Sequence, residues 1–71
     1  MKIKEILLKN CYGDKINIIA KIKYNNKILL YWSGNHSAYD YTRFDTIENG
    51  NLREQTKEEY NFFNHKLGWL L

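Results

Sequence analysis

The sequence predicts a small α+β domain, a small antiparallel β-sheet of three to four strands in the order β-β-β-β-α with one C-terminal helix packed on one face. Three observations lead there. Residues 16–24 alternate apolar and polar side chains with the period of two that a strand imposes. Tetrads rich in Asn and Gly, Tyr24-Asn25-Asn26-Lys27 and Glu48-Asn49-Gly50-Asn51, supply residues that tolerate the positive φ of tight hairpins. Thr56-Lys57-Glu58-Glu59 is a capping box, in which the Thr56 hydroxyl accepts from the Glu59 backbone and the Glu59 carboxylate reaches back.

The opening segment, residues 2–9, fits two elements. Ile3, Ile6 and Leu7 have helical spacing, whereas pairing with residues 15–24 through Cys11-Tyr12-Gly13-Asp14 makes a strand. The strand is expected, because Gly13-Asp14 makes a compact hairpin and three strands alone are few. In the next strand Ile16, Ile18, Ala20, Ile22 and Tyr24 are expected on one side, with Asn17, Ile19, Lys21 and Lys23 on the other.

Ile28–Trp32 is apolar on both faces. A two-residue Asn25-Asn26 loop sets Tyr24 against Lys27, Ile22 against Leu29 and Ala20 against Tyr31. A three-residue loop sets Tyr24 against Ile28, Ile22 against Leu30 and Ala20 against Trp32. The second register gathers Ile, Leu, Tyr and Trp on one face and is the one expected. Ser33–Ser37 reads as loop, and residues 38–47 as a strand with Tyr39 and Tyr41 on one face and Thr42 and Phe44 on the other. In the C-terminal helix Tyr60, Phe63 and Leu67 form an apolar stripe, and Gly68 suits the C-cap, with Trp69 and Leu70 folding back.

Size sets the terms for this core. Seventy-one residues without proline make one domain, 1–71, which buries only about 60% of its unfolded surface. An aromatic fraction of 15% helps to fill it. No apolar run approaches the roughly 20 residues of a membrane span, and the start lacks the apolar stretch of a signal peptide. A cytoplasmic protein with no membrane association is therefore expected. One cysteine, Cys11, forbids an internal disulfide and any multi-cysteine zinc site.

The net charge of +3 is unevenly spread. Residues 1–30 hold seven lysines against Glu5 and Asp14, a balance of +5, and residues 31–71 balance at −2. An electropositive face for an anionic partner is one reading, and lysines that keep a small sheet soluble are the plainer one. Lys, Asn and Ile together number 26 residues, the signature of an AT-rich genome, which accounts for part of the lysine excess.

Catalytic constellations are not visible, so the chain is expected not to be an enzyme. Cys11 lies far in sequence from His36 and His65 and reads as a small buried hydrophobe. Asp40, Asp45 and Glu48 match no calcium loop, alternation puts Asp40 and Asp45 on opposite faces, and no His pair has i, i+4 spacing. No metal and no cofactor are expected, and the four isolated glycines cradle no phosphate.

Side-chain potential concentrates in residues 31–43, where Tyr31, Trp32, Tyr39 and Tyr41 accompany His36 and Arg43 around a Gly-Asn pair. Trp, Tyr and Arg dominate interface energetics. Trp32 reads equally well as core. Phe62 lies about 100° around the helix from Phe63, so it either widens the core stripe or contacts a partner. With Trp69, Leu70 and Leu71 it is the candidate surface for a homodimer. The candidate partner-binding residues are Tyr31, His36, Tyr39, Tyr41, Arg43, Phe62, Lys21 and Lys23.

The function expected is a non-enzymatic, protein-binding module acting as a stoichiometric inhibitor or regulator. Its size and AT-rich bias suit a phage or mobile element acting on a host defence or regulatory protein. One alternative is nucleic-acid binding by a basic, aromatic sheet face of Lys21, Lys23, Tyr31, Tyr39 and Tyr41. A second is a small-ligand or nucleotide pocket around residues 31–43, with Arg43 holding an anionic group.

Overall fold

The computed structural model describes residues 3–10 and 14–68. Their order is α1 (Ile3–Asn10), β1 (Lys15–Tyr24), β2 (Lys27–His36), β3 (Tyr39–Glu48), β4 (Asn51–Glu54) and α2 (Lys57–Leu67). The strands form one antiparallel sheet in the order β1-β2-β3-β4. The α+β architecture with a C-terminal helix after four strands is thus the one the sequence predicts, with one helix added.

That addition corrects the opening segment, which is helix rather than strand. Its helical spacing prevails because Leu30, Trp32 and Ile47 present a second apolar face that a further edge strand would leave bare. Leu7 is buried against these three, and Ile3 and Ile6 flank it, together with Ile16, Ile18, Ile28 and Leu52 from the sheet. Glu5 in the first turn and Lys9 in the last suit the helix dipole. The fourth strand is instead β4, which follows the turn at Asn49 and Gly50, with φ of 53° and 77°. Leu52 of β4 pairs with Ile47 and enters the core.

The register of β1 on β2 also differs from the expected one. Asn25 and Asn26 both have left-handed backbone, φ 48° and 61°, and make a two-residue type I′ turn with Tyr24 opposite Lys27. Ile22 then faces Leu29 and Ala20 faces Tyr31. Between Ile18 and Ala20 the register shifts at a bulge, so that Ile18 faces Trp32 and Ile16 faces Gly34. The even-numbered apolar residues of β1 are therefore divided between the faces. Ile16 and Ile18 lie on the α1 side, whereas Ala20, Ile22 and Tyr24 lie on the α2 side.

The segment 33–37 is mostly strand rather than loop, because β2 continues to His36 with β1 and β3 paired on either side. Only Ser37 and Ala38 make the connection, with Ser37 at φ 61°. The Gln55 side-chain amide ties the last connection to the sheet, donating to the carbonyl oxygens of Leu30 (3.2 Å) and Asp45 (2.9 Å).

α2 begins and ends as its sequence dictates. Thr56 Oγ1 accepts from the Glu59 N–H at 3.2 Å, Thr56 N–H donates to Glu59 Oε1 at 3.0 Å, and Gly68 takes the left-handed C-cap at φ 72°. Its buried residues are Glu59, Phe63 and Asn64 rather than a stripe through Tyr60, since Tyr60 is 40% exposed and meets Phe44 edge-on. Phe62 widens that buried face by stacking on Tyr24, with centroids 4.2 Å apart.

Glu59 is only 3% exposed. Its Oε1 accepts from Thr46 Oγ1 (3.0 Å) and Arg53 Nη1 (2.9 Å), besides the Thr56 N–H. Its Oε2 accepts from Lys27 Nζ (3.0 Å) and Arg53 Nη2 (2.9 Å). The Arg53 hydrogen bonds, ahead of those from Thr56, Lys27 and Thr46, outweigh burial and hold the carboxyl well below the usual carboxylate range. A depressed folded-state value stabilises the fold fully above the unfolded value of about 4.3 and less as pH falls below it. Urea unfolding should therefore lose stability from roughly pH 5 downward. Glu59→Gln should cost roughly 3 kcal/mol at neutral pH and flatten that decline, because Arg53 and Lys27 lose their shared counter-charge.

Candidate functional site

The segment that connects β2 to β3 brings the densest group of exposed functional side chains together. Asp14 lies just before β1, His36 ends β2, and Tyr39 opens β3 directly opposite His36. Asp14 Oδ1 lies 2.6 Å from His36 Nδ1, and the Tyr41 hydroxyl donates to Asp14 Oδ2 at 2.5 Å. The Tyr41 and His36 hydrogen bonds, in that order, hold the Asp14 carboxyl below its ordinary value.

Tyr41 is fixed from three directions. Its hydroxyl is held by Asp14, its ring meets the buried Trp32 edge-on at 5.8 Å, and Tyr39 stacks against it at 6.0 Å with the ring planes 25° apart. Gly34 lies directly across from Tyr41. A Cβ there would come within 2.8 Å of Tyr41 Cε2 and nearer still to Cζ and Oη. Glycine at this strand position is what lets the ring lie over β2 and reach Asp14.

Beside this group, Trp32 Nε1 donates to the buried Asp45 Oδ2 at 2.7 Å, and Arg43 Nε donates to the same oxygen at 3.1 Å. A depression of about 490 Å³ runs between them, lined among others by Asp14, Trp32, His36, Tyr41, Arg43 and Asp45. Acidic and basic groups both line it, with Glu54 and Arg53 beside the others. Chemically the arrangement offers an imidazole oriented by a carboxylate, with 71% of the His36 side chain exposed, beside a tyrosine that is 67% exposed. Among the described residues no three His, Cys, Asp or Glu side chains gather as a metal site.

Of the residues the sequence singles out, His36, Tyr39, Tyr41 and Arg43 come together here. Lys21 and Lys23 do not. They share this sheet face but lie opposite Leu30 and Ile28, toward the Asn25-Asn26 turn, roughly 20–26 Å along the strands from His36. Tyr31 is on the other face, half-buried under α2 and stacked on Phe44 at 4.4 Å. The single face of Lys21, Lys23 and Tyr31 is thus corrected, because the two-residue turn sets Tyr31 with Ala20 instead. Phe62 is committed to Tyr24. Trp69, Leu70, Leu71 and Cys11 lie outside the described residues.

Asp14 is the residue that sequence reading missed. It reads there as part of a turn, and its partners stand 22 and 27 positions away. Gly34 reads there as a loop residue, and it marks a close approach only once β2 runs on to His36.

Comparison with protein-family models, with curated proteins and with solved structures finds no match for this chain. Among the described residues no helix is long and apolar enough to cross a membrane.

Gly34→Ala should preserve the sheet at a cost of about 1–2 kcal/mol while pushing Tyr41 off Asp14. The Asp14 carboxyl should then titrate closer to its ordinary value, read by carbon-detected NMR. An unmoved Asp14 titration would mean that Tyr41 does not hold it.

Proposed function

We propose that the chain is a non-enzymatic protein-binding module, a stoichiometric inhibitor or regulator that docks through the surface made by His36, Tyr39, Tyr41 and Arg43. Tyr39 carries this reading. It is 67% exposed, yet its ring is stacked on Tyr41, which Asp14 and Trp32 hold from behind. An aromatic side chain already ordered before contact loses little conformational entropy on binding, as interface anchors require.

Electrostatics favour a protein over a nucleic acid at this surface. Asp14, Asp40, Asp45 and Glu54 stand among His36, Arg43 and Arg53, so the patch has no uniform positive field to follow a phosphate backbone. Of the three exposed lysines of β1, only Lys15 stands beside this patch, next to Asp14, while Lys21 and Lys23 are at the far end of the sheet.

Tagged chain retrieved from its native host after nuclease treatment should bring down one protein in stoichiometric amount. Tyr39→Ala should weaken that capture by roughly thirtyfold, the scale of an interface hot spot, without lowering thermal stability. Recovery of RNA or DNA in place of protein, or capture indifferent to Tyr39, would overturn the proposal.

A further inference from the structure

β1 is the terminal strand of the sheet, and among the described residues no backbone group outside β2 hydrogen-bonds to it. It is ten residues long, whereas the opposite edge strand, β4, has four. A long unpaired edge is a template for another strand. Its sequence, Lys15 to Tyr24, contains Lys15, Lys21 and Lys23 and no carboxylate. All three lysines are exposed, and none has an ion pair among the described residues.

We infer that the outer edge of β1, over residues 20–24, accepts an extended acidic segment of a partner protein as a fifth strand. This rests on the reading of the chain as a protein-binding module, but it uses a different surface from the Tyr39 patch.

The alternation past the bulge defines the segment that fits. Lys21 and Lys23 emerge on the α1 side, and Ala20, Ile22 and Tyr24 on the α2 side. A strand laid along this edge sets every second residue beside the lysines and the intervening residues beside Ala20 and Ile22. The complementary sequence therefore alternates acidic and apolar residues. A groove of about 280 Å³ lined by Ile3, Lys21, Ile22, Lys23 and Ile28 marks the place. Four of its five lining residues, Ile3, Lys21, Lys23 and Ile28, belong to the α1 side, so it runs along the α1-facing flank of this edge. Five of the seven lysines of residues 1–30 belong to this strand and the helix beside it, whose Lys4 and Lys9 are also exposed.

A second copy of the chain is a poor occupant. Antiparallel self-pairing centred on Ile19 puts Lys15 opposite Lys23, and in-register parallel pairing stacks each lysine on itself. The lysines that prevent self-association are thus the ones that select an acidic strand.

The test is titration of the full-length, nitrogen-labelled chain with three end-blocked synthetic peptides, followed by NMR. The first alternates Glu and Val, the second alternates Lys and Val, and the third is the Glu-Val peptide with a central proline. The Glu-Val peptide should shift the amides of residues 20–24 most. The Lys-Val and proline peptides should each bind at least about tenfold more weakly, through charge and through loss of ladder hydrogen bonds respectively. Lys21→Glu combined with Lys23→Glu should reverse the preference in favour of the Lys-Val peptide. Equal binding of the Glu-Val and Lys-Val peptides, proline tolerance, or shifts centred on His36 and Tyr39 would overturn the inference. So would no binding, or displacement by single-stranded oligothymidylate at lower concentration.

Tyr39→Ala should leave peptide binding unchanged. If peptide binding fails while Tyr39-dependent capture persists, the edge inference alone falls. If the peptide binds and capture ignores Tyr39, the hairpin surface alone falls.

Discussion

One buried carboxylate joins the helix to the sheet. Glu59 accepts five hydrogen bonds, from Lys27 of β2, Thr46 of β3, Arg53 of β4 in two places, and the backbone of Thr56. Burying an ionised group is costly unless its charge and lone pairs are met, and here all of the donors are supplied by elements that must be in place together. β4 illustrates the dependence. With four residues and one neighbouring strand it has little ladder of its own, but Arg53 binds Glu59 bidentately and also reaches Glu48. Once α2 is anchored at Glu59, Phe63 is buried, Phe62 stacks on Tyr24, and Tyr60 meets Phe44.

The bulge at Ile19 is the second organising feature, because it lets one strand serve two cores. A uniform alternation would have placed all of Ile16, Ile18, Ala20, Ile22 and Tyr24 under one helix. With one extra residue the first two meet the α1 side and the last three the α2 side. The same shift places Lys21 and Lys23 on the α1 side, at the opposite end from the aromatic group. Two surfaces of different character result: a mixed-charge aromatic patch at the β2–β3 turn and a cationic edge along β1.

Local chemistry was readable wherever residues close in sequence decide the outcome. The capping box at Thr56, the Gly68 C-cap, the places of the turns at Asn25-Asn26 and Asn49-Gly50, though not the two-residue length of the first, and the shared face of Tyr39 and Tyr41 all depend on neighbours within a few positions. The opening segment was harder. Eight residues with four apolar side chains satisfy either element, and what decides between them is whether Leu30, Trp32 and Ile47 need a cover. Likewise Glu59 was legible as a capping residue, and its Thr56 bonds agree. Its burial was not, because Lys27, Thr46 and Arg53 reach it from three separate strands. At the candidate site, His36, Tyr39, Tyr41 and Arg43 were visible as residue types, whereas Asp14 becomes part of the group only when β1 is laid beside β2.

By itself the sequence determined the α+β class, the C-terminal helix with both its ends, the positions of two hairpin turns, and an uneven charge with lysines gathered in the first half. Tertiary structure alone decided the N-terminal helix, the β1–β2 register with its bulge, the burial of Glu59, and the separation of aromatics from lysines. The physical reason is range. Backbone preference and capping act within a turn or two, while covering a second sheet face, or assembling donors around a carboxylate, is settled only by contacts between segments distant in sequence.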